Sequence, residues 1–233
     1  MERLDKVISS QMVYSRKDVK DLVRKKEVTV NGVIVSDASV KVDVNKDNIM
    51  VMGNCLRYQE FVYLILNKPK GFVSATEDRN MKTVLDLVPI EYMHRELFPA
   101  GRLDKDTTGL MLITDDGGFA HNILSPSKHV KKTYLVTIDI PLSNEMVDGF
   151  KKGVKLSDGE CKEASLEIID EHNGIVTLVE GRYHQIKRMF GCYGAKVLEL
   201  KRIGMGNLTL PDDLLEGECR ELSSLELGMI QER

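Results

Sequence analysis

In the first part of the chain, apolar positions recur first with the period of an α-helix and then with that of a β-strand. The helical spacing i, i+3, i+4, i+8 is followed by Leu4, Val7, Ile8 and Met12. This spacing puts the apolar side chains on one face and predicts an amphipathic helix. Farther on, two β-branched runs flank Asn31-Gly32, a dipeptide that tolerates the positive φ angles of a tight turn. A β-hairpin is therefore predicted over residues 28–35.

A second helix is predicted between these elements, with one apolar and one basic face. Ser15 is a suitable N-cap, and Asp18 follows three residues later, where a capping-box partner belongs. The apolar stripe consists of Val19, Leu22 and Val23, and the opposite face carries Arg16, Lys17, Lys20 and Arg24. A basic face of this kind is either a solvated helix surface or a surface that binds the phosphates of a polyanion.

The order helix, basic helix, hairpin resembles the S4 RNA-binding domain. The matching segments are Arg3-Leu4-Asp5-Lys6, Ser15-Arg16 and Val28-Thr29-Val30-Asn31-Gly32. One departure is Lys26-Glu27, where that family usually has a glycine before the hairpin. The resemblance implies a module that docks on RNA by shape and phosphate contacts. Because residues 53–60 are polar and lack periodicity, the S4-like domain is predicted to span residues 1–58.

Beyond residue 60, strand-like runs alternate with a few short helices. Strands are predicted at residues 61–66, 110–114, 133–138, 164–169, 175–179 and 196–200, and helices at 118–124, 144–151 and 183–193. Residues 67–71, Asn-Lys-Pro-Lys-Gly, are predicted to form a turn that ends the first strand. The predicted fold class is α+β: a small N-terminal S4-like α/β module, then a domain over residues 60–233 with a large, mainly antiparallel mixed sheet flanked by short helices.

Composition narrows the class of protein. The 233 residues are 42% hydrophobic and 30% charged, as in ordinary folded proteins, and suffice for a small module and a larger domain. No apolar run approaches the ~18 residues of a membrane helix, and the N-terminus lacks the apolar core of a signal peptide. The four cysteines and five histidines have no metal-ligand spacing. We expect a cytoplasmic protein without a metal, a small-molecule cofactor or a membrane partner.

The net charge of −3 hides basic clusters. Besides the basic helix, one cluster comprises Lys128, Lys131 and Lys132, and another comprises Arg182, Lys187, Arg188, Lys196, Lys201 and Arg202. Acidic residues collect near the C-terminus instead. Local basic clusters on a chain that is not basic overall are either solvated helix surfaces or faces that bind a polyanion.

A polar loop between two apolar segments carries the most distinctive motif, G-R-L-D-K-D-T-T-G-L at residues 101–110. It is either a tight turn in which Arg102 and Asp104 pair at the surface, or a loop that aims a carboxylate at a substrate. Two further motifs follow it: K-K-T-Y at residues 131–134 and E-G-R-Y-H-Q-I-K-R-M-F at residues 180–190. On the predicted helix of the last motif, the side chains of His184, Lys187 and Arg188 lie beside the core stripe, within reach of a neighbouring carboxylate.

The three motifs, behind an S4-like module, resemble the RsuA family of pseudouridine synthases over essentially the whole chain. The resemblance implies a cofactor-free isomerisation of one uridine in ribosomal RNA, with Asp104 as the catalytic aspartate, Tyr134 as the active-site tyrosine and Lys187 as its basic partner. Most pseudouridine synthases have arginine at the position of Lys187, so bidentate pairing with the aspartate is lost here. The sequence of residues 183–187 favours the branch of the family that acts on 16S rRNA and makes pseudouridine(516). Residues expected to bind RNA are Arg102, Ile186, His184, Arg188, Arg16, Lys17, Lys20 and Arg24.

The isomerisation that the resemblance implies agrees with these residue types. An ionised carboxylate can attack the base or act on the ribose side, and the residues leave both routes open. A nearby Lys187 would keep Asp104 charged, while Tyr134 offers the uracil a flat face and a hydroxyl, and Ile186 would close the other side. We expect a monomer that acts on 16S rRNA or a small-subunit assembly intermediate. The alternatives are the same reaction on 23S rRNA and a non-catalytic ribosome-assembly factor that binds RNA.

Overall fold

The computed structural model describes residues 1–125, 128 and 130–231, and the chain forms two compact units. The first unit contains Met1–Val62 together with Pro89–Glu96, a segment that comes later in the chain. The second contains Tyr63–Val88 and Leu97–Arg233. The sequence-based boundary at residues 58–60 remains a prediction, and the returning segment Pro89–Glu96 was not anticipated.

The first unit packs two helices and short strands around an apolar core. In chain order its elements are β1 (Glu2–Arg3), α1 (Leu4–Gln11), α2 (Arg16–Arg24), β2 (Val28–Val30), β3 (Val33–Ile34), β4 (Lys41–Val42), β5 (Ile49–Val51), β6 (Asn54–Cys55) and a 3₁₀ turn at Ile90–Tyr92. The main sheet has the order β3-β2-β5-β6, and β1 pairs with β4. The apolar stripes of both helices join the core, so the sequence interpretation of this unit is confirmed.

Local chemistry explains the turns of this unit. Ser15 and Asp18 form the predicted capping box at the start of α2. Asn31 and Gly32 both have positive φ, 53° and 80°, as a type I′ hairpin requires. The missing glycine before the hairpin is replaced by Lys26, which adopts the left-handed conformation at φ 61°. Its N–H bonds the Val23 carbonyl at 3.0 Å, so the chain leaves α2 without a glycine.

The second unit contains a nine-stranded sheet, a separate two-stranded hairpin and short helices. Its strands are β7 (Tyr63–Lys68), β8 (Phe98–Pro99), β9 (Thr108–Thr114), β10 (Lys132–Ile138), β11 (Lys155–Leu156), β12 (Gly159–Glu160), β13 (Ser165–Ile168), β14 (Asn173–Leu178), β15 (Val197–Met205), β16 (Leu208–Thr209) and β17 (Cys219–Glu221). Its helices are α3 (Gly117–Leu124), α4 (Asn144–Lys152), α5 (Gln185–Gly191) and α6 (Ser224–Gln231), with a 3₁₀ turn at Val84–Leu87.

The main path of the large sheet runs β13-β14-β10-β15-β9-β7-β17, while β11 and β12 form a separate hairpin. Neighbouring strands along it pair antiparallel, except that β15 and β9 pair parallel. The predicted large, mainly antiparallel mixed sheet is therefore confirmed. An apolar cluster joins β7, β9 and β15 to α3 and α6, and α4 meets α5 through Phe150 and Phe190, whose ring centroids are 4.9 Å apart.

Three predicted elements were wrong in extent, among them the strand expected over residues 196–200, which runs from Val197 to Met205 as β15. Asn67 and Lys68 continue β7 as buried strand residues instead of beginning a turn, because the chain pairs with β9 up to Lys68 and leaves the sheet only at Pro69. The helix expected over residues 183–193 is limited to Gln185–Gly191. It starts late because His184 is left-handed, with φ 48° and ψ 35°, a conformation that cannot belong to an α-helix.

Two further observations concern the expectations from composition. Cys55, Cys161 and Cys192 carry free thiols. Among the helices in the described parts of the chain, none has both the length and the apolar character needed to cross a membrane.

Candidate active site

The loop between β8 and β9 carries Asp104 and is held by backbone contacts on both sides of this residue. The hydroxyl of Ser74 donates to the Leu103 carbonyl at 2.8 Å and accepts from the Leu103 N–H at 2.9 Å. The N–H of Thr107 donates to the Asp104 carbonyl at 3.1 Å, and the N–H of Gly71 to the Lys105 carbonyl at 2.8 Å. The loop therefore presents Asp104 from a fixed backbone.

Lys68 supports the same loop from inside the protein. Its side chain is fully buried, and its ammonium group donates to the carbonyls of Thr107 at 2.8 Å, Asp104 at 3.1 Å and Pro69 at 3.1 Å, with Lys105 at 3.3 Å. Burial lowers the pKa of Lys68 to about 8, although nearby Asp106 and Asp104 act in the opposite direction. A single buried cation thus gathers the carbonyls of the Asp104 loop around one point.

The glycine that ends the motif has a steric role. Gly109 has a φ of 99°, and a Cβ atom there would lie 2.2 Å from the carbonyl oxygen of Arg202 on β15. Gly109 pairs with Arg202 in the parallel register of β9 and β15. Only glycine permits this close approach, so the motif residue fixes where β9 begins relative to β15.

The Asp104 carboxylate lies among ionisable side chains from two segments of the chain. Lys187 Nζ is 3.3 Å from Asp104 Oδ2, and His184 Nε2 is 3.5 Å from Asp104 Oδ1. Lys187 also donates to both carboxylate oxygens of Asp106, at 2.7 and 2.8 Å. The structure thus brings together Asp104, His184 and Lys187 from distant parts of the sequence, and it adds Asp106. Asp104 does not form the surface pair with Arg102 that the sequence left open.

The charges of this cluster support one another. Burial alone lowers the pKa of Lys187, but its hydrogen bond to Asp106 and its attraction to Asp104 outweigh burial and raise the pKa above the ordinary value. The hydrogen bond from Lys187 likewise lowers the pKa of Asp106. Lys187 therefore remains a cation between two carboxylates, and the Asp104 side chain stays 27% exposed to solvent.

The segment before α5 is anchored to the β11–β12 hairpin. The guanidinium of Arg182 donates to the carbonyls of Gly159 and Glu160, at 3.0 and 2.6 Å. That of Arg188 forms an ion pair with Asp158 and donates to the Tyr183 carbonyl at 3.2 Å. The charge of Arg188 is therefore engaged within the protein, away from the Asp104 carboxylate.

The remaining predicted site residues are divided between the two units. Tyr134 on β10 is 9% exposed and pairs with Arg202, which itself pairs with Gly109 at the start of β9. Ile186, in the first turn of α5, is buried, whereas Arg102 is exposed on the loop. The basic residues of α2 belong to the first unit and are solvent-exposed: Arg16, Lys17, Lys20 and Arg24.

Two members of the predicted basic clusters are not on the surface. Arg202 is 2% exposed and its Nε donates to the Leu110 carbonyl at 2.6 Å. Lys132 is also buried and donates to the Val130 carbonyl at 3.0 Å, and burial lowers its pKa to about 8. The expectation that these two cations lie on a surface, either solvated or polyanion-binding, was wrong, because strand alternation turns them inward.

Sequence reasoning missed three residues that build the site: Lys68, Ser74 and Asp106. Asp106 stands in the quoted motif, two positions after Asp104, and this spacing was a usable signal. Ser74 and Lys68 act through backbone carbonyls and N–H groups of a distant loop, which leave no pattern in a single sequence.

Comparison with known proteins agrees with this arrangement. The RNA pseudouridylate synthase family matches residues 62–191, and the S4 domain family matches residues 2–48. The chain is 43% identical over 235 residues to an uncharacterized RNA pseudouridine synthase, YtzG, of Bacillus subtilis, covering 99% of this chain and 98% of that one. It is 42% identical over 231 residues to ribosomal small subunit pseudouridine synthase A of Escherichia coli, covering 98% and 99%.

A solved structure described as a pseudouridylate synthase is similar over 99% of this chain and 100% of that one, with 38% identity and a TM-score of 0.70. The family match covers more than half of the chain, and both curated relatives align over nearly their full lengths. With the S4 domain in front, the chain therefore belongs to the RNA pseudouridylate synthase family and is an RNA pseudouridine synthase of the RsuA type.

Proposed function

We propose that this enzyme converts one uridine of 16S rRNA into pseudouridine and that Asp104 is the residue that acts on the uridine. In this isomerisation the C1′–N1 bond breaks and a C1′–C5 bond forms, while C5 loses a proton and N1 gains one. The carboxylate either adds to the base or acts at the ribose, and both routes need an ionised oxygen beside the detached base. No group outside the polypeptide is required to balance the reaction.

The observation that carries the proposal is the Asp104 carboxylate itself. Lys68 binds its backbone carbonyl and Ser74 holds the preceding Leu103, its oxygens face Lys187 and His184, and its side chain remains partly open to solvent. A reactive group must be both fixed in position and accessible to the substrate. A carboxylate that served only the fold would need the fixed position but not the open side.

Lys187 acts as the counter-ion of Asp104. An ammonium group 3.3 Å from the carboxylate favours its negative charge and orients it. Asp106 holds Lys187 at a shorter distance, so the lysine stays in place even while the Asp104 carboxylate is engaged with the uridine. Lysine in place of arginine gives a point charge that two carboxylates can share, where a guanidinium would pair in a fixed bidentate geometry.

The target base must leave its stack to reach Asp104, as in other enzymes that act on a base. Tyr134 offers one flat face to the uracil and a hydroxyl that assists removal of the C5 proton, and Ile186 contacts the other face. Arg102, exposed two residues before Asp104, fills the space the base leaves or holds a flanking phosphate. His184 and Arg188 belong to the same RNA-contacting surface.

The first unit supplies affinity for the RNA. Its helix α2 exposes the basic residues Arg16, Lys17, Lys20 and Arg24, and phosphate contacts from such a face add binding energy without choosing the nucleotide. A ribosomal substrate places the enzyme in the cytoplasm, and a single chain contains all the groups invoked here.

The choice of 16S over 23S rRNA is supported by the relatives. The Escherichia coli protein that aligns with 98% of this chain is named for the small ribosomal subunit. The sequence of residues 183–187 also resembles the small-subunit branch of the family. Two alternatives remain testable: the same reaction on 23S rRNA, and RNA binding without catalysis in ribosome assembly.

Incubation of the purified protein with unmodified 16S and 23S transcripts, followed by carbodiimide labelling and primer extension, tests the proposal. We expect one new pseudouridine in the 16S transcript or in a small-subunit assembly intermediate, and none in the 23S transcript. A modified site in 23S rRNA alone would move the target. RNA binding with no pseudouridine in any of these substrates would favour the assembly factor.

A further inference from the structure

We propose that Tyr183 is a stacking platform for an unpaired nucleobase of the RNA that flanks the target uridine. The inference rests on the proposed function in one respect, namely that RNA occupies the Asp104 site. It adds a binding site for a second nucleotide, on a residue with no part in the chemistry described above.

Exposure and stacking single out Tyr183. Tyr183 is 76% exposed to solvent, although it lies next to the polar cluster around Asp104. Its ring stacks on the imidazole of His184, with centroids 3.9 Å apart and an angle of 17° between the planes. Since the imidazole covers one face of the phenol ring, the exposed area comes from the opposite face and the edges. That free face has the shape and size that suit a nucleobase.

The stack is directly connected to the Asp104 site. The imidazole on which Tyr183 rests has its Nε2 atom 3.5 Å from Asp104 Oδ1. The His184 ring thus connects the Tyr183 ring with the Asp104 carboxylate that is proposed to react. A base on the free face of Tyr183 would belong to a nucleotide close to the target, rather than to a remote part of the RNA.

The platform is held in place before any ligand arrives. The Tyr183 carbonyl accepts a hydrogen bond from Arg188. The preceding residue, Arg182, donates from its guanidinium to the Gly159 and Glu160 carbonyls. His184 keeps a left-handed backbone, with φ 48° and ψ 35°, directly before α5, and its ring stacks on that of Tyr183. A rigid aromatic group loses little conformational freedom on binding, so most of the stacking energy contributes to affinity.

The chemistry of the ligand follows from the nature of the surface. Flat aromatic faces in RNA-binding proteins stack unpaired bases, and every base has a π face, so such contacts are tolerant of sequence. Sequence-specific RNA recognition mostly targets single-stranded loops and bulges, and in such a segment the base next to the target uridine is unpaired as well. An unpaired base beside the target is therefore the ligand that this surface fits best.

Fluorescence can report on this contact because the chain contains no tryptophan. The variant Tyr183→Trp creates a single reporter on the platform, and Leu225→Trp creates a matched one on α6, at a residue that is 68% exposed. With a short oligouridylate as probe, we expect quenching at position 183 and little change at position 225. An oligomer of the same phosphate count with abasic sugars should leave both reporters unchanged. Equal responses to the two oligomers, or no response at position 183 at saturating oligouridylate, would overturn the proposal.

Kinetics on the rRNA substrate give a second readout. Loss of one base–aromatic stack weakens binding by roughly 5- to 100-fold, so Tyr183→Ala should raise KM by about that factor with little change in kcat. Tyr183→Phe keeps the ring and should retain the wild-type KM. An unchanged KM in Tyr183→Ala would contradict the platform. A Tyr183→Trp protein that responds to oligouridylate while the wild type makes no pseudouridine would instead refute the proposed function and leave the platform standing.

Discussion

Replacement of Lys68 by methionine should loosen the loop that presents Asp104. The ammonium group has three N–H donors, and its shortest contacts are with the carbonyls of Thr107, Asp104 and Pro69. Hydrogen bonds from a charged donor contribute about 1.5–3 kcal/mol each. Burial of the charge offsets part of this, since the lowering of the Lys68 pKa from 10.5 to about 8 corresponds to about 3 kcal/mol. We therefore expect Lys68→Met to lower the free energy of unfolding by about 1.5–6 kcal/mol and Tm by roughly 3–24 °C.

The pH dependence of this loss has a definite sign. The folded chain releases the Lys68 proton at about pH 8, whereas the unfolded chain keeps it until its ordinary pKa of 10.5. Between these values the unfolded state holds more protons, so the contribution of Lys68 to stability rises with pH. The difference in unfolding free energy between wild type and Lys68→Met should grow by about 2–3 kcal/mol from pH 7 to pH 10.

Denaturant unfolding followed by circular dichroism at several pH values measures both quantities. Lys70→Met is the matched control, because Lys70 forms only an exposed ion pair with Glu199 at 2.6 Å. Such surface pairs contribute about 0–1 kcal/mol. Pseudouridine formation should fall in Lys68→Met and persist in Lys70→Met. Equal destabilisation by both variants, or a Lys68→Met difference that shrinks as the pH rises, would refute the carbonyl-binding role of Lys68.

Two further predictions concern the cations. In single-turnover assays at saturating enzyme, Lys187→Met should abolish pseudouridine formation because Asp104 loses its counter-ion, while Lys187→Arg should retain much of the rate. A wild-type rate for Lys187→Met would rule out the catalytic role of Lys187. Replacement of the basic residues of α2 by glutamine should make the slope of log affinity against log salt shallower by roughly 0.7–0.9 per lost phosphate contact. The residues replaced are Arg16, Lys17, Lys20 and Arg24. Glutamine at Lys151 and Lys152 of α4 is the control, and an unchanged slope in the α2 variant would show that this helix does not contact RNA.

The elements that depend on local chemistry were predictable from the sequence. The Ser15 capping box and the Asn31-Gly32 turn each require only neighbouring residues, and both are present. Lys26 shows the limit of this reasoning, since a lysine adopts the left-handed conformation that a glycine would take more easily. The hydrogen bonds that end α2 hold the backbone there and compensate for the strain.

The elements that depend on distant residues were not predictable. The motif Asn-Lys-Pro favours a turn, but pairing with β9 keeps Asn67 and Lys68 in the sheet, and the loop carbonyls satisfy the buried ammonium. The periodicity of residues 183–193 suits a longer helix, but contacts of Arg182 with a separate hairpin accompany its late start. Burial of Arg202 likewise depends on its strand neighbours. A single sequence contains no record of which strands become neighbours.

The central claim is that the negative charge of Asp104 performs the chemistry, and a pair of isosteric substitutions tests it. Asp104→Asn and Asp106→Asn each remove one charge from the cluster around Lys187 with almost no change in side-chain volume. Single-turnover formation of pseudouridine in 16S rRNA should be lost in Asp104→Asn, with folding and RNA affinity retained, whereas Asp106→Asn should keep a reduced but measurable rate. A tenth or more of the wild-type rate in Asp104→Asn would contradict the account, because another residue would then have to act on the uridine.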